Sequence, residues 1–104
     1  MLFRSSDHRF ARLPAVPTVQ ESGLPGYQVS SWNSLAAPAH TAPEIIARLN
    51  GEIATVLAMP DVRQSLLDLG IEPKASTPEA LGKLLADEID KWRAVIVRAG
   101  IEPQ

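Results

Sequence analysis

The sequence contains no cysteine, which removes disulfide frameworks, thiolate metal sites and cysteine nucleophiles together. Histidine is confined to His8 and His40, neither set in a partner motif, and there is no nucleophile elbow, zinc-ligand spacing or phosphate loop. Acid–base, metal and covalent chemistry have no residues to rest on, so no enzymatic activity and no cofactor are expected. A surplus of one charge is missing too. Ten Lys and Arg stand against twelve Asp and Glu, a formal net charge of -2, and the basic residues are scattered, which leaves no electrostatic footprint for nucleic acid. No apolar run approaches the roughly 20 residues that cross a bilayer, so membrane insertion is not expected. The opening residues, with Arg4, Asp7 and His8 crowding Leu2 and Phe3, are too short and too polar for a secretory signal.

What is present is 104 residues, 45% of them hydrophobic, enough for one modest domain or a piece of a larger one. Six of the eight serines fall in the first forty residues, with four of the nine prolines; the remainder carries long apolar periodicities. Leu13-Pro14-Ala15-Val16-Pro17-Thr18 is an extended surface segment, because each proline removes a donor and pushes its predecessor out of helical geometry. Thr18 and Glu21 have capping-box spacing for a short helix that Gly23 ends, and Leu24-Pro25-Gly26 is turn chemistry. Residues 27–36 form the best strand candidate, with Tyr27 and Val29 on one face and Gln28, Ser30 and Trp32 on the other. This organisation predicts an extended proline-rich segment with a short helix over 1–26, then a strand and three helices over 27–104, within a single domain.

Three helices follow from apolar spacing and punctuation. Thr41-Ala42-Pro43-Glu44 repeats the capping-box pattern, and Ile45, Ile46, Leu49, Ile53, Val56 and Leu57 then recur on one face, predicting a helix over 42–59. Pro60 interrupts the pattern and starts a second helix over 61–69, which Gly70 stops. Thr77-Pro78-Glu79 opens a third over 78–99, with Leu81, Leu84, Leu85, Ile89, Trp92, Val95 and Ile96 on its apolar face and Gly100 closing it. The fold class expected is an α/β fragment, predominantly helical, with three helices packed on a small sheet that includes 27–36.

Few residues invite a site. Asp87, Glu88 and Asp90 cluster on the third helix, but Lys83 and Lys91 lie four residues from Asp87 and are expected to pair with it, giving a solvated charged face. His8 is expected in a frayed terminus, and Trp92 in the core. Trp32 differs, standing among Ser30, Ser31, Asn33 and Ser34 rather than among aliphatics. Ser31, Trp32, Asn33 and Ser34 are therefore the candidates for a ligand cleft, or for a hinge where a bulky ring pins two domains.

The order of several short motifs resembles a known family. Val16-Pro17-Thr18-Val19-Gln20-Glu21-Ser22-Gly23-Leu24-Pro25-Gly26-Tyr27, then Trp32, then Ala37-Pro38-Ala39-His40-Thr41, is similar to the C-terminal signature of Bug-type receptors, the substrate-binding components of tripartite tricarboxylate transporters. The likeness continues through Ile45 to Asn50, Pro60-Asp61-Val62-Arg63, Leu69-Gly70, Thr77-Pro78-Glu79, Lys91-Trp92 and Ala99-Gly100-Ile101. The resemblance implies part of a two-domain receptor of the periplasmic binding protein type II-like fold, a periplasmic location, a small carboxylate as ligand and a membrane permease as partner. It also implies a truncated chain lacking most of the binding site, with weak or no ligand binding of its own. The alternative is a small module that forms a homo-oligomer through apolar surface left exposed. Where His40 and Ser34 stand the family usually has glycine; His40 is expected to be tolerated if its backbone avoids positive φ.

Overall fold

The computed structural model describes residues 2–102. The chain divides into two compact units, Met1–Ala36 and Ala37–Gln104.

The first unit is held together near its start. Arg4 pairs with Thr18 in an isolated parallel bridge: the Arg4 amide donates to the Pro17 carbonyl at 2.9 Å and the Val19 amide to the Arg4 carbonyl at 2.8 Å. On the other side of this segment the Val29 amide donates to the Ser5 carbonyl at 2.9 Å. Phe10, Ser6 and Thr18 are buried around it. The Arg4 guanidinium lies 4.5 Å from the Phe10 ring centre, and its Nε donates to Ser6 Oγ at 2.7 Å, so the cation is held by an aromatic face and a hydroxyl at once. The terminus expected to fray is thus the nucleus of this unit.

The Thr18–Glu21 box forms as its spacing predicts. The Thr18 amide donates to Glu21 Oε2 at 2.8 Å, and the Glu21 amide to Thr18 Oγ1 at 3.1 Å. No helix follows: residues 19–23 are turns, because Gly23 at φ +113 bends the chain away before a second turn can close. The expected strand over 27–36 is also absent, as is any sheet among the described residues. Beyond Val29 the segment has no neighbouring strand to bond with, and an extended chain without ladder partners is not a strand.

The second unit consists of α1, Pro43–Ala58, α2, Pro60–Asp68, and α3, Pro78–Ala99. All three have proline at the first position. Proline makes the residue before it extended, and that residue becomes the cap. The caps are therefore Ala42, Met59 and Thr77, with ψ of 135°, 130° and 159°. Only Thr77 has a side chain suited to the task, accepting from the Ala80 amide at 3.1 Å. The capping box expected at Thr41 and Glu44 does not form, because Pro43 moves the cap to Ala42; the Thr41 hydroxyl donates instead to the Pro38 carbonyl at 2.8 Å. At the other ends, α2 and α3 close in Schellman geometry on Gly70 and Gly100, with Ile71 donating to Leu66 and Ile101 to Ile96.

His40 adopts φ +67, the only described non-glycine residue with positive φ. The Thr41 amide donates to the Pro38 carbonyl at 3.2 Å, so Pro38–Thr41 is a turn with left-handed geometry at its third residue alone, the type II pattern that calls for glycine there. The condition for tolerating His40 without strain, a backbone clear of positive φ, is therefore not met.

Packing in the second unit is thin. No residue from 37 to 102 is buried. Ile46, Ile53, Leu57, Val62, Leu66, Leu67 and Leu81 are half-buried, while Ile45, Leu49 and Val56 of α1 and most of the α3 stripe are exposed. Trp92, expected in the core, is 40% exposed. The apolar periodicity is as predicted, but the described residues contain no sheet for these faces to cover.

Candidate functional site

The four site candidates lie on the stretch that leaves the nucleus of the first unit. A turn closed by the Tyr27 amide on the Leu24 carbonyl at 3.2 Å aims the chain, and Val29 anchors it to Ser5. After that anchor the backbone runs extended and exposed. Ser31, Trp32, Asn33 and Ser34 are all exposed, with Trp32 at 38%. They stand in a row and presents hydroxyl, indole and amide groups to the outside, but they enclose no volume.

A concave site exists in the second unit, where the first turn of α1 faces the first turn of α3. It is an open cleft of about 510 Å³ lined by Thr41, Pro43, Ile46 and Asn50 on one wall and by Thr77, Pro78 and Glu79 on the other. Asn50 ties the walls together, its Nδ2 donating to the Ser76 carbonyl at 2.8 Å. Amides of a first helical turn favour negative charge, but the protein supplies that charge itself. Glu79 is held below its usual carboxylate range by its own backbone amide and by the Thr77 hydroxyl. An anionic ligand would meet this carboxylate at the rim. Sequence reasoning missed the cleft because its walls are some 30 residues apart in the chain; Asn50, an amide on an otherwise ion-bearing helix face, is the one local sign of it.

The remaining titratable groups are internally matched. Arg9 Nε contacts both Glu21 oxygens at 3.0 Å and its Nη1 donates to the Pro14 carbonyl at 2.9 Å. The hydrogen bond from Arg9, then that from the Thr18 amide, pull Glu21 down to about 2. On α3, Lys83 pairs with Asp87 at 2.6 Å, as expected. Lys91 does not join it: it pairs with Glu88, which also accepts from Trp92 Nε1 at 2.8 Å. These two donors, Lys91 first, hold Glu88 below the usual range. Asp90 lies 3.4 Å from Arg93. Each acid of the cluster thus has its own cation, and no group of three or more metal-ligating side chains occurs among the described residues. His8 Nδ1 sits 2.6 Å from Asp7 Oδ1.

Comparison with known proteins gives a consistent family. The model of the tripartite tricarboxylate transporter family receptor matches residues 1–101. A UPF0065 protein encoded in the tcbD-tcbE intergenic region of Pseudomonas sp. (strain P51) is 41% identical over 90 residues, covering 86% of this chain and 27% of the relative. Protein BugT of Bordetella pertussis is 36% identical over 95 residues, covering 91% of this chain and 29% of that protein. Among solved structures, R. palustris Rpa4515 with adipate superposes with a TM-score of 0.82 at 33% identity, over 96% of this chain and 33% of the other. The chain therefore spans about a quarter to a third of the length of these relatives. With the family model matching residues 1–101, this chain belongs to the tripartite tricarboxylate transporter receptor family.

Proposed function

We propose that the chain is the C-terminal part of a periplasmic solute receptor for small carboxylates, truncated so that it binds ligand weakly or not at all by itself. The observation that carries this reading is the absence of any buried residue from 37 to 102, although α1 and α3 have well-formed apolar stripes. Stripes of this kind gain stability only by covering something. In the complete receptor those faces would cover parts of the fold outside these residues, so that 27–104 acts as a partial receptor domain. Ser31, Trp32, Asn33 and Ser34 would then stand at the hinge or at the edge of the ligand cleft. The carboxylate class is favoured by the relative solved with adipate, a dicarboxylate, and the family favours a membrane permease as partner. No described helix is long and apolar enough to cross a membrane.

A cleft that surrounds its ligand needs both lobes. Isothermal titration of the 104-residue chain with a panel of dicarboxylates that includes adipate is expected to show no binding tighter than roughly millimolar; a micromolar response refutes the reading. Self-association is the second reading, favoured by one observation: the exposed apolar stripe of α3.

A further inference from the structure

Asparagine followed by glycine is a turn pair, because the amide side chain competes for backbone hydrogen bonds and glycine accepts almost any φ. Asn50-Gly51 is the one such pair in the chain, and it sits in the middle of α1 rather than in a loop. Among the described residues a Cβ at Gly51 would meet nothing within 4 Å, so the position gives up helix propensity without a packing reason. Asn50, by contrast, has a task. Its Nδ2 donates to the Ser76 carbonyl at 2.8 Å, which joins α1 to the residue before the Thr77 cap of α3. Glu79 lines the same cleft.

Such a pair can modify itself. Glycine leaves its own backbone nitrogen unshielded by a Cβ, and that nitrogen, on losing its proton to hydroxide, can attack Cγ of the preceding asparagine. The N–Cγ bond forms, the Cγ–Nδ2 bond breaks, and Nδ2 leaves as ammonia with a proton from water, closing a five-membered succinimide. Water then opens the ring at either carbonyl to give aspartate or isoaspartate; the net change is one water consumed and one ammonia released. Inside α1 the step is shut off. At helical ψ the Gly51 nitrogen does not face Cγ of Asn50, its N–H is engaged along the helix by the Ala47 carbonyl, and the leaving amide is held by Ser76. The helix must open first. In the 104-residue chain little opposes that, since the Ala42 cap offers no side-chain hydrogen bond and no residue of α1 is buried. We propose that Asn50-Gly51 is a self-modification site, at which opening of α1 lets the asparagine convert and the product cannot re-form the tie to Ser76. A carboxylate has no hydrogen to donate, so at position 50 it meets the Ser76 carbonyl with like polarity and adds a second negative charge to the cleft that Glu79 lines. Isoaspartate also lengthens the backbone by one carbon, which breaks the helical repeat.

This chemistry lies within one helix and its neighbour and stands apart from any ligand, so a silent titration with dicarboxylates leaves it untouched. The 104-residue chain is incubated at mildly alkaline pH, sampled over time and digested with trypsin, which leaves Asn33 and Asn50 on separate peptides, 13–48 and 49–63. Mass spectrometry should show the amide-to-acid change at residue 50, with isoaspartate present beside aspartate. Aspartate alone would mean direct hydrolysis and overturns the proposal, and so does a residue 50 that is still an amide once the same chain unfolded in urea has been held equally long. Conversion should track hydrogen exchange of the Gly51 amide: urea below the unfolding midpoint should speed both by one factor, and Ala42→Ser, which gives α1 a cap, should slow both by about fivefold. Conversion indifferent to the opening of the helix refutes the gating. The consequence is read by variants: Asn50→Asp should lower the urea midpoint more than Asn50→Ala, and adding Glu79→Gln should recover the difference. An Asn50→Asp chain as stable as the parent would show that no tie is released.

Discussion

Replacing His40 with glycine should stabilise the second unit, by an amount that follows from its turn. His40 is the third residue of the Pro38–Thr41 turn and sits at φ +67. A side chain with a Cβ is strained in this region by about 1–2 kcal/mol, and histidine belongs to the types that visit it more readily, so the lower figure applies. Glycine removes this strain but gives the unfolded chain more freedom, a loss of about 0.4–1 kcal/mol. The net gain is about 0.3 kcal/mol, within a range of about 0–0.6. With a urea dependence of about 1 kcal/mol per molar, as small units show, the midpoint followed by circular dichroism at 222 nm should rise by about 0.3 M. His40→Ala retains the Cβ and should show no gain, and His40→Pro, whose ring fixes φ near −65°, should destroy the turn. A midpoint that falls in His40→Gly, or rises equally in His40→Ala, refutes the strain argument.

Two further outcomes are expected. The first unit should lose stability on acidification: Glu21 is held down to about 2 from an ordinary value of 4.5, so its contribution is fully present above pH 4.5 and disappears as the pH falls toward 2. Glu21→Gln should abolish that acid dependence in the amide shifts of Thr18 and Val19; an unchanged profile would place its cause elsewhere. Thr77→Ala should cost α3 about 1 kcal/mol through loss of its cap, whereas Thr41→Ala should cost clearly less, because Thr41 caps nothing. Equal losses by urea titration would contradict the placement of the caps.

What the sequence revealed, and what it withheld, follows from the range of the interactions involved. Helices depend on neighbours three and four residues away, and the predicted 42–59, 61–69 and 78–99 lie within one residue of α1, α2 and α3. The Thr18–Glu21 box and the Gly100 cap are equally local and equally legible. The Thr41 box failed because two local rules competed, and the extended residue before Pro43 claimed the cap. A strand at 27–36 depends on partners far away in the chain, and pattern alone cannot supply them; Val29 found one bond, to Ser5. The nucleus around Arg4, Ser6, Phe10 and Thr18 was unreadable for the same reason, since its parallel bridge joins residues fourteen apart. As for the candidate site, the setting of Trp32 among small polar residues is apparent in the sequence, but whether such residues enclose a ligand depends on contacts distant in the chain, which pattern alone does not supply.

The prolines at the heads of all three helices have a consequence for how this segment can vary. Each proline nails the first turn of its helix to a fixed point in the sequence, so the helices cannot creep along the chain to accommodate a changed neighbour. Met59, held extended between α1 and α2, separates two rods that would otherwise merge, and each can be recoloured residue by residue without dragging the other out of phase. Drift in such a segment is therefore channelled into side chains, while the backbone scaffold stays put.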